Sequence, residues 1–187
     1  MMQGILEKKF VDNAQTQGCD TTGTIKAING VAQGSDISNR IGRKYNNIAI
    51  QLRGTFIPQG ITTGNLARVM LIWDAQTNGA LPAMTDILTA ARSDKFMNLD
   101  FRDRFKIIMD KSFGFGPYNT TATQAVSAPM AKITFYKRIN LPTICDGTTS
   151  AIGDVNTGSL LLVTVGSAAA GAGHDILCTT RVRYVDG

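Results

Sequence analysis

The chain has 187 residues, 43% hydrophobic and 18% charged, with 19 basic against 14 acidic side chains for a net charge of +5. That supplies one cored domain, with fewer charges than the usual quarter or so and a basic balance compatible with a polyanionic partner. The greasiest run, 160–165, has the length of a strand and not of a membrane span, and Cys19, Cys145 and Cys178 give neither a disulfide framework nor zinc spacing.

Residues 1–6 read as a short lead and 7–187 as a single domain. The N-terminus lacks a charged segment followed by an apolar run, so no leader peptide is expected. Residues 7–12 (EKKFVD) begin a strand, the polar stretch 13–22 reads as loop, and 24–29 (TIKAIN) is a short strand. A loop over 30–38 leads into a basic turn holding Arg40, Gly42, Arg43 and Lys44. Alternation follows, with Ile48, Ile50, Leu52 and Phe56 on one face and Asn47, Ala49, Gln51, Arg53 and Thr55 on the other, the pattern of a half-buried antiparallel strand. Pro58 and Gly60 break it.

Residues 66–74 (LARVMLIWD) are apolar at nearly every position, as in a strand buried on both faces or lying against an interface. Asn78-Gly79 marks a turn, and Pro82 then opens AMTDILTAAR, a short excursion helix by its proline and its Ala and Leu content. A strand is expected from about Phe105, with Phe105, Ile107, Met109 and Phe113 on one face. A long loop covers 114–128, of the kind that is functional or covered by a neighbour. Further strands are 132–139, ended by Pro142, then 159–165 and 175–185, and the turn-rich stretch 145–156 has room for one more short strand. The expectation is an all-β chain: a single eight-stranded antiparallel jelly roll with one short excursion helix and long loops.

Catalytic patterns are missing. His174 is the lone histidine, no phosphate-binding glycine loop or metal motif occurs, and Asp100, Asp103 and Asp110 are interleaved with Arg102, Arg104, Lys106 and Lys111. No enzyme, cofactor or metal is expected. The cations carry more: Arg40, Arg43 and Lys44 in one turn, Arg53 in the strand after it, Arg102 and Arg104 before another, Lys137 and Arg138 in a third, and Arg181 and Arg183 on one face of the last. Phosphate binding needs cations along a surface and no fixed geometry. Tyr45 and Tyr136 are candidates for stacking on unpaired bases, with Phe101 and Tyr184 nearby.

Residues 34–54 (GSDISNRIGRKYNNIAIQLRG), 68–74 (RVMLIWD) and 98–108 (NLDFRDRFKII), together with EKKFVD and the later TTGTI, resemble coat proteins of circular single-stranded DNA viruses that encode a replication initiator, the geminivirus and circovirus group. The resemblance implies a capsid protein that self-assembles as a homo-oligomer into a small icosahedral shell, about sixty copies in the simplest case, around single-stranded DNA bound by basic residues of the inner face. It implies residence in the virion and, during assembly, in the host nucleus or cytoplasm, with no membrane partner and an unassigned host receptor. Such coats begin with an arginine-rich arm, whereas only Lys8 and Lys9 stand near the start here, so residues 1–6 read as the remnant of one. The competing expectation is a monomeric or small-oligomer jelly-roll module binding carbohydrate or protein, with Trp73 as its platform.

Overall fold

A computed structural model describes residues 7–58, 64–116 and 130–186. The strands are β1 (Lys8–Cys19), β2 (Thr24–Ala27), β3 (Lys44–Pro58), β4 (Asn65–Asp74), β5 (Phe105–Phe115), β6 (Lys132–Cys145), β7 (Val155–Thr157), β8 (Ser159–Gly166) and β9 (His174–Asp186), with one helical turn, α1 (Met84–Ile87). They form two antiparallel sheets, ordered β1-β9-β3-β6-β7 and β2-β8-β4-β5. Successive strands mostly change sheet and β9 returns beside β1, which makes the fold the expected jelly roll. β7 is the short extra strand of the turn-rich stretch, paired only with the end of β6. The lead 1–6 and most of the loop 114–128 lie outside the described residues.

The core lies between the sheets. Ile50, Leu52 and Phe56 of β3 and Ile176 and Val182 of β9 meet Ala67, Val69 and Leu71 of β4 and Leu160 and Leu162 of β8, all buried. Each large side chain so buried contributes about 1.5–3 kcal/mol. At one end a polar network ties the layers together. Asn29 donates to Thr143 Oγ1 and Gly158 O, both at 3.0 Å, and accepts from Leu160 N at 2.8 Å, while the Tyr45 hydroxyl donates to Asn29 O. Gly158 sits at φ 82°, and a Cβ there would lie 2.0 Å from Pro142 O, so only glycine closes this corner.

Five sequence expectations change. The polar stretch 13–22 is strand as far as Cys19, paired with β9 throughout. An edge strand needs no apolar outer face, and two of its inward amides are anchored: Asn13 Nδ2 donates to Ile28 O (2.8 Å) and Gln17 Oε1 accepts from Thr164 Oγ1 (3.2 Å). In β3, a register shift between Asn47 and Ala49 reverses the alternation. Tyr45 and Asn47 are buried before it and Ile50, Leu52 and Phe56 after it, so Asn47 is an inside residue, donating to Leu141 O and Thr143 Oγ1 at 2.8 Å, and Ile48 is only half-buried. A similar shift opposite Leu71 and Ile72 splits the expected face of β5: Phe105 packs on the outer side of the second sheet, Met109 and Phe113 in the sandwich core, and Ile107 is exposed. Strand β6 continues past Pro142, which an irregular ladder next to the Asn47 shift tolerates.

The fifth change concerns the excursion. Its helix is one turn, and Leu88 is already extended (φ −115°, ψ 153°) and bridged to Met97. Ile87 and Leu88 are fully buried on the outer face of the second sheet, against Met70, Ile72, Leu161, Val163 and Val165. That burial outweighs helix propensity worth tenths of a kcal/mol per residue. It also explains β4: one face lies in the sandwich core and the other under this strap of the same chain, with no neighbour required.

The connections sort to two ends. Gln33 N donates to Thr148 O and Asn78 N to Asn156 O, each at 2.8 Å, which gathers the β2–β3, β4–β5 and β6–β8 connections at one end. Thr21 N donates to Ala168 O at 2.8 Å and joins the β1–β2 and β8–β9 connections at the other.

Candidate nucleic-acid interface

The outer face of the five-stranded sheet is not covered by any described segment, and cross-strand register decides what it displays. Across β1, β9, β3 and β6 one row reads Phe10, Arg183, Ala49, Arg138; the next Asp12, Arg181, Gln51, Tyr136; the next Ala14, Thr179, Arg53, Thr134; the next Thr16, Leu177, Thr55, Lys132. Lys8 and Lys44 lie on the same face nearer one end. The carboxylates there are Asp12 and Asp175. The face is therefore cationic over several strands, with Tyr136 exposed in its middle.

Asp12 and Arg181 form a bidentate pair (2.7 and 2.6 Å). The hydrogen bond from Arg181 holds the Asp12 carboxyl below its ordinary range, and the same bond raises Arg181. The Arg181 guanidinium also stacks over the Phe10 ring, 4.9 Å from its centroid, so its plane is fixed. Beside it lies a shallow cup of about 230 Å³ lined by Asp12, Gln51, Arg53, Thr179 and Arg181. Arg53 is exposed and, among the described residues, has no carboxylate partner; Arg138, Arg183 and Lys132 are exposed likewise. A guanidinium offering its whole fork suits a phosphodiester oxygen pair.

The expected site residues thus divide. Lys44, Arg53, Arg138, Arg181, Arg183 and Tyr136 come together on this face. Arg40 does not: it is wholly buried, with Nε donating to Val31 O at 3.0 Å and the Nη atoms to Gly42 O and Gly147 O, so it pins the β2–β3 connection and meets no phosphate. Tyr45 is buried too, its ring 5.2 Å from that of Tyr184, so neither tyrosine stacks on a base. Arg43 lies in the turn, paired with Asp146 and donating to Cys145 O at 3.2 Å. Arg104 is bound bidentately to the buried Asp74, both bonds 2.8 Å, a hydrogen bond that raises its pKa. Arg102 is exposed beside Asp103 in the connection before β5, with Phe101 next to it. Lys137 points away from the face, into a cleft shared with Lys106 at the β5–β6 edge. Lys132 and Lys8 were missed; the clean alternation of KITFYKRI already placed Lys132 with Arg138.

Among the described residues no cluster of His, Cys, Asp and Glu could hold a metal ion, and no helix is long and apolar enough to cross a membrane. Trp73, the platform of the competing reading, is half-buried against the sandwich core.

No curated protein matches the chain. The family model of the satellite tobacco necrosis virus coat protein matches residues 1–187. The chain belongs to that family: it is a viral coat protein, a component of the virion. The assignment to circular DNA viruses gives way to this satellite-virus family, while the capsid role stands.

Proposed function

We propose that this coat protein closes, as about sixty identical subunits in the simplest case, into an icosahedral shell around a single-stranded RNA genome, with the outer face of the five-stranded sheet turned to the lumen. The role is structural and no catalysis is assigned to it. RNA replaces the DNA of the initial resemblance because the matching family comes from a satellite of an RNA virus. The observation that carries the reading is the register that sets Arg53, Arg138, Arg181, Arg183 and Lys132 on one uncovered face. A flexible single strand needs that: phosphate contacts spread over a surface and a ring to stack on, here Tyr136, without base-specific geometry. At +5 per copy the shell neutralises a modest share of a genome, so the reading calls on this face rather than on total charge.

The test is the nucleic-acid content of purified particles. Arg53→Glu combined with Arg183→Glu should give particles, or subunits, whose absorbance in the nucleic-acid band falls relative to the protein band. Particles of unchanged content would remove this face from genome binding. Wild-type protein that stays monomeric at high concentration would overturn the shell itself.

A further inference from the structure

The strap between β4 and β5 displays a second surface of different character. Phe96 is 84% exposed, Leu99 71% and Phe101 36%. Phe96 and Leu99 rim a groove of about 730 Å³ that also takes in Met97 and the Arg68–Asp110 ion pair. We propose that this ridge is a contact between copies of the chain, with Phe96 and Leu99 of one subunit seated on the next subunit of the shell. The inference rests on the coat-protein reading and adds to it the residues that join neighbours.

Three observations favour a second copy as the occupant. The backbone beneath the ridge is pinned. Thr89 N donates to Phe96 O (3.0 Å), Asn98 N to Ile87 O (2.9 Å) and Asn98 Nδ2 to Thr85 O (2.9 Å), and Arg68 Nη1 donates to Ser93 O (3.4 Å) and Lys95 O. Two large apolar groups are therefore held in water in a set geometry that serves nothing inside the subunit, and an anchor fixed in advance is what a specific contact uses.

The ridge is also electrically quiet. Asp110 neutralises Arg68, Asp94 takes both Arg92 (3.0 Å) and Lys95 (3.4 Å), and Asp100 on the groove lining offsets the cation left over. With its charges balanced, the ridge suits an apolar counter-surface. With an aromatic ring worth about 150–250 Å², the three side chains expose on the order of 350 Å², enough for the dry centre of a standard contact of about 800 Å² per partner.

Lastly, the same chain exposes other apolar groups away from the ridge, Ile37 (56%) and Ile41 (64%) on the β2–β3 connection among them. A ridge meeting a different patch of the next copy is a heterologous contact, and such contacts, repeated around an axis, close rings.

The experiment uses the full chain. Phe96→Ser with Leu99→Ser should leave the circular dichroism of dissociated subunits unchanged and raise the concentration needed for assembly by about tenfold or more. Assembly at the wild-type concentration overturns the proposal. Should the double variant not fold, oxidative footprinting of the wild type decides: Phe96 and Leu99 should be labelled several-fold less in particles than in dissociated subunits, and equal labelling overturns the contact and marks the ridge as a surface for another partner. If the wild type itself forms no particles, the shell reading falls first and the ridge with it, an outcome distinct from particles with a freely labelled ridge.

Discussion

Arg40 and Arg53 look alike in the sequence and do opposite things. Around Arg40, carbonyls of Val31, Gly42 and Gly147 converge and no water reaches the side chain; around Arg53 nothing converges and the guanidinium stays exposed. Gly147 is 107 residues away in another connection and Val31 nine away in the same one, so spacing along the sequence could not separate the two roles. Arg40→Ala should lower the stability of dissociated subunits by about 3 kcal/mol in urea unfolding, since buried acceptors lose a charged donor, whereas Arg53→Ala should stay within about 0.5 kcal/mol. The cysteines make a second residue-scale case. Burial pushes the Cys19 thiol up to about 12 and the Cys178 thiol up to about 11, and raises Cys145 as well, from an ordinary value of 9.0. The native state favours the neutral thiol, so this contribution is whole below pH 9 and is lost as pH rises toward about 12, where the unfolded chain gains from ionising first. Thermal midpoints of subunits should accordingly fall above pH 9. An alkylating reagent at about pH 8 should leave all three thiols unmodified until the chain unfolds.

Among elements, the order and kind of nearly every strand were legible because alternation reports burial directly. What stayed hidden were the register shifts at Asn47/Ala49 and opposite Leu71/Ile72, each a one-residue insertion that reverses the faces beyond it. Local propensity also misjudged the strap, where the helix stops at Ile87 and Leu88 turns extended over the sheet beneath it. Leu88→Ala should therefore cost about 2–4 kcal/mol in thermal or urea unfolding, as for a core leucine, although Leu88 lies outside the sandwich. Asp74→Ala should do comparable damage, about 3 kcal/mol, by leaving Arg104 without its bidentate partner and freeing the chain before β5. The motif NLDFRDRFKII, which carried part of the sequence resemblance, contains that arginine. Its position answers to a fold constraint, one that coats of unrelated genomes can share.

For the whole molecule, the jelly roll and the capsid role could be read before the structure, and the virus group could not, because shells are built on one scaffold by many lineages while genome contacts are diffuse. Diffuse contacts still have a countable signature. Arg53, Arg138, Arg183 and Lys132, with Lys8 and Lys44 nearer one end, are the exposed cations of the sheet face without a carboxylate partner among the described residues. Binding of a single-stranded oligoribonucleotide to dissociated subunits should weaken with salt at a log–log slope of about −4, near −0.7 per phosphate contact. Arg53→Ala with Arg183→Ala should reduce that slope by about 1.4, and a slope unaffected by the pair would place the contacts elsewhere.

Lys8 at the start of β1 sits opposite Val185 near the end of β9, so the backbone enters the first strand and leaves the last one side by side. Labels joined just before β1 and just after β9 are thereby delivered to one compartment. A protease unable to strip an amino-terminal label from intact particles should fail equally at a carboxy-terminal one, and the halves of a split reporter carried by a single chain should find each other without help from an adjacent molecule.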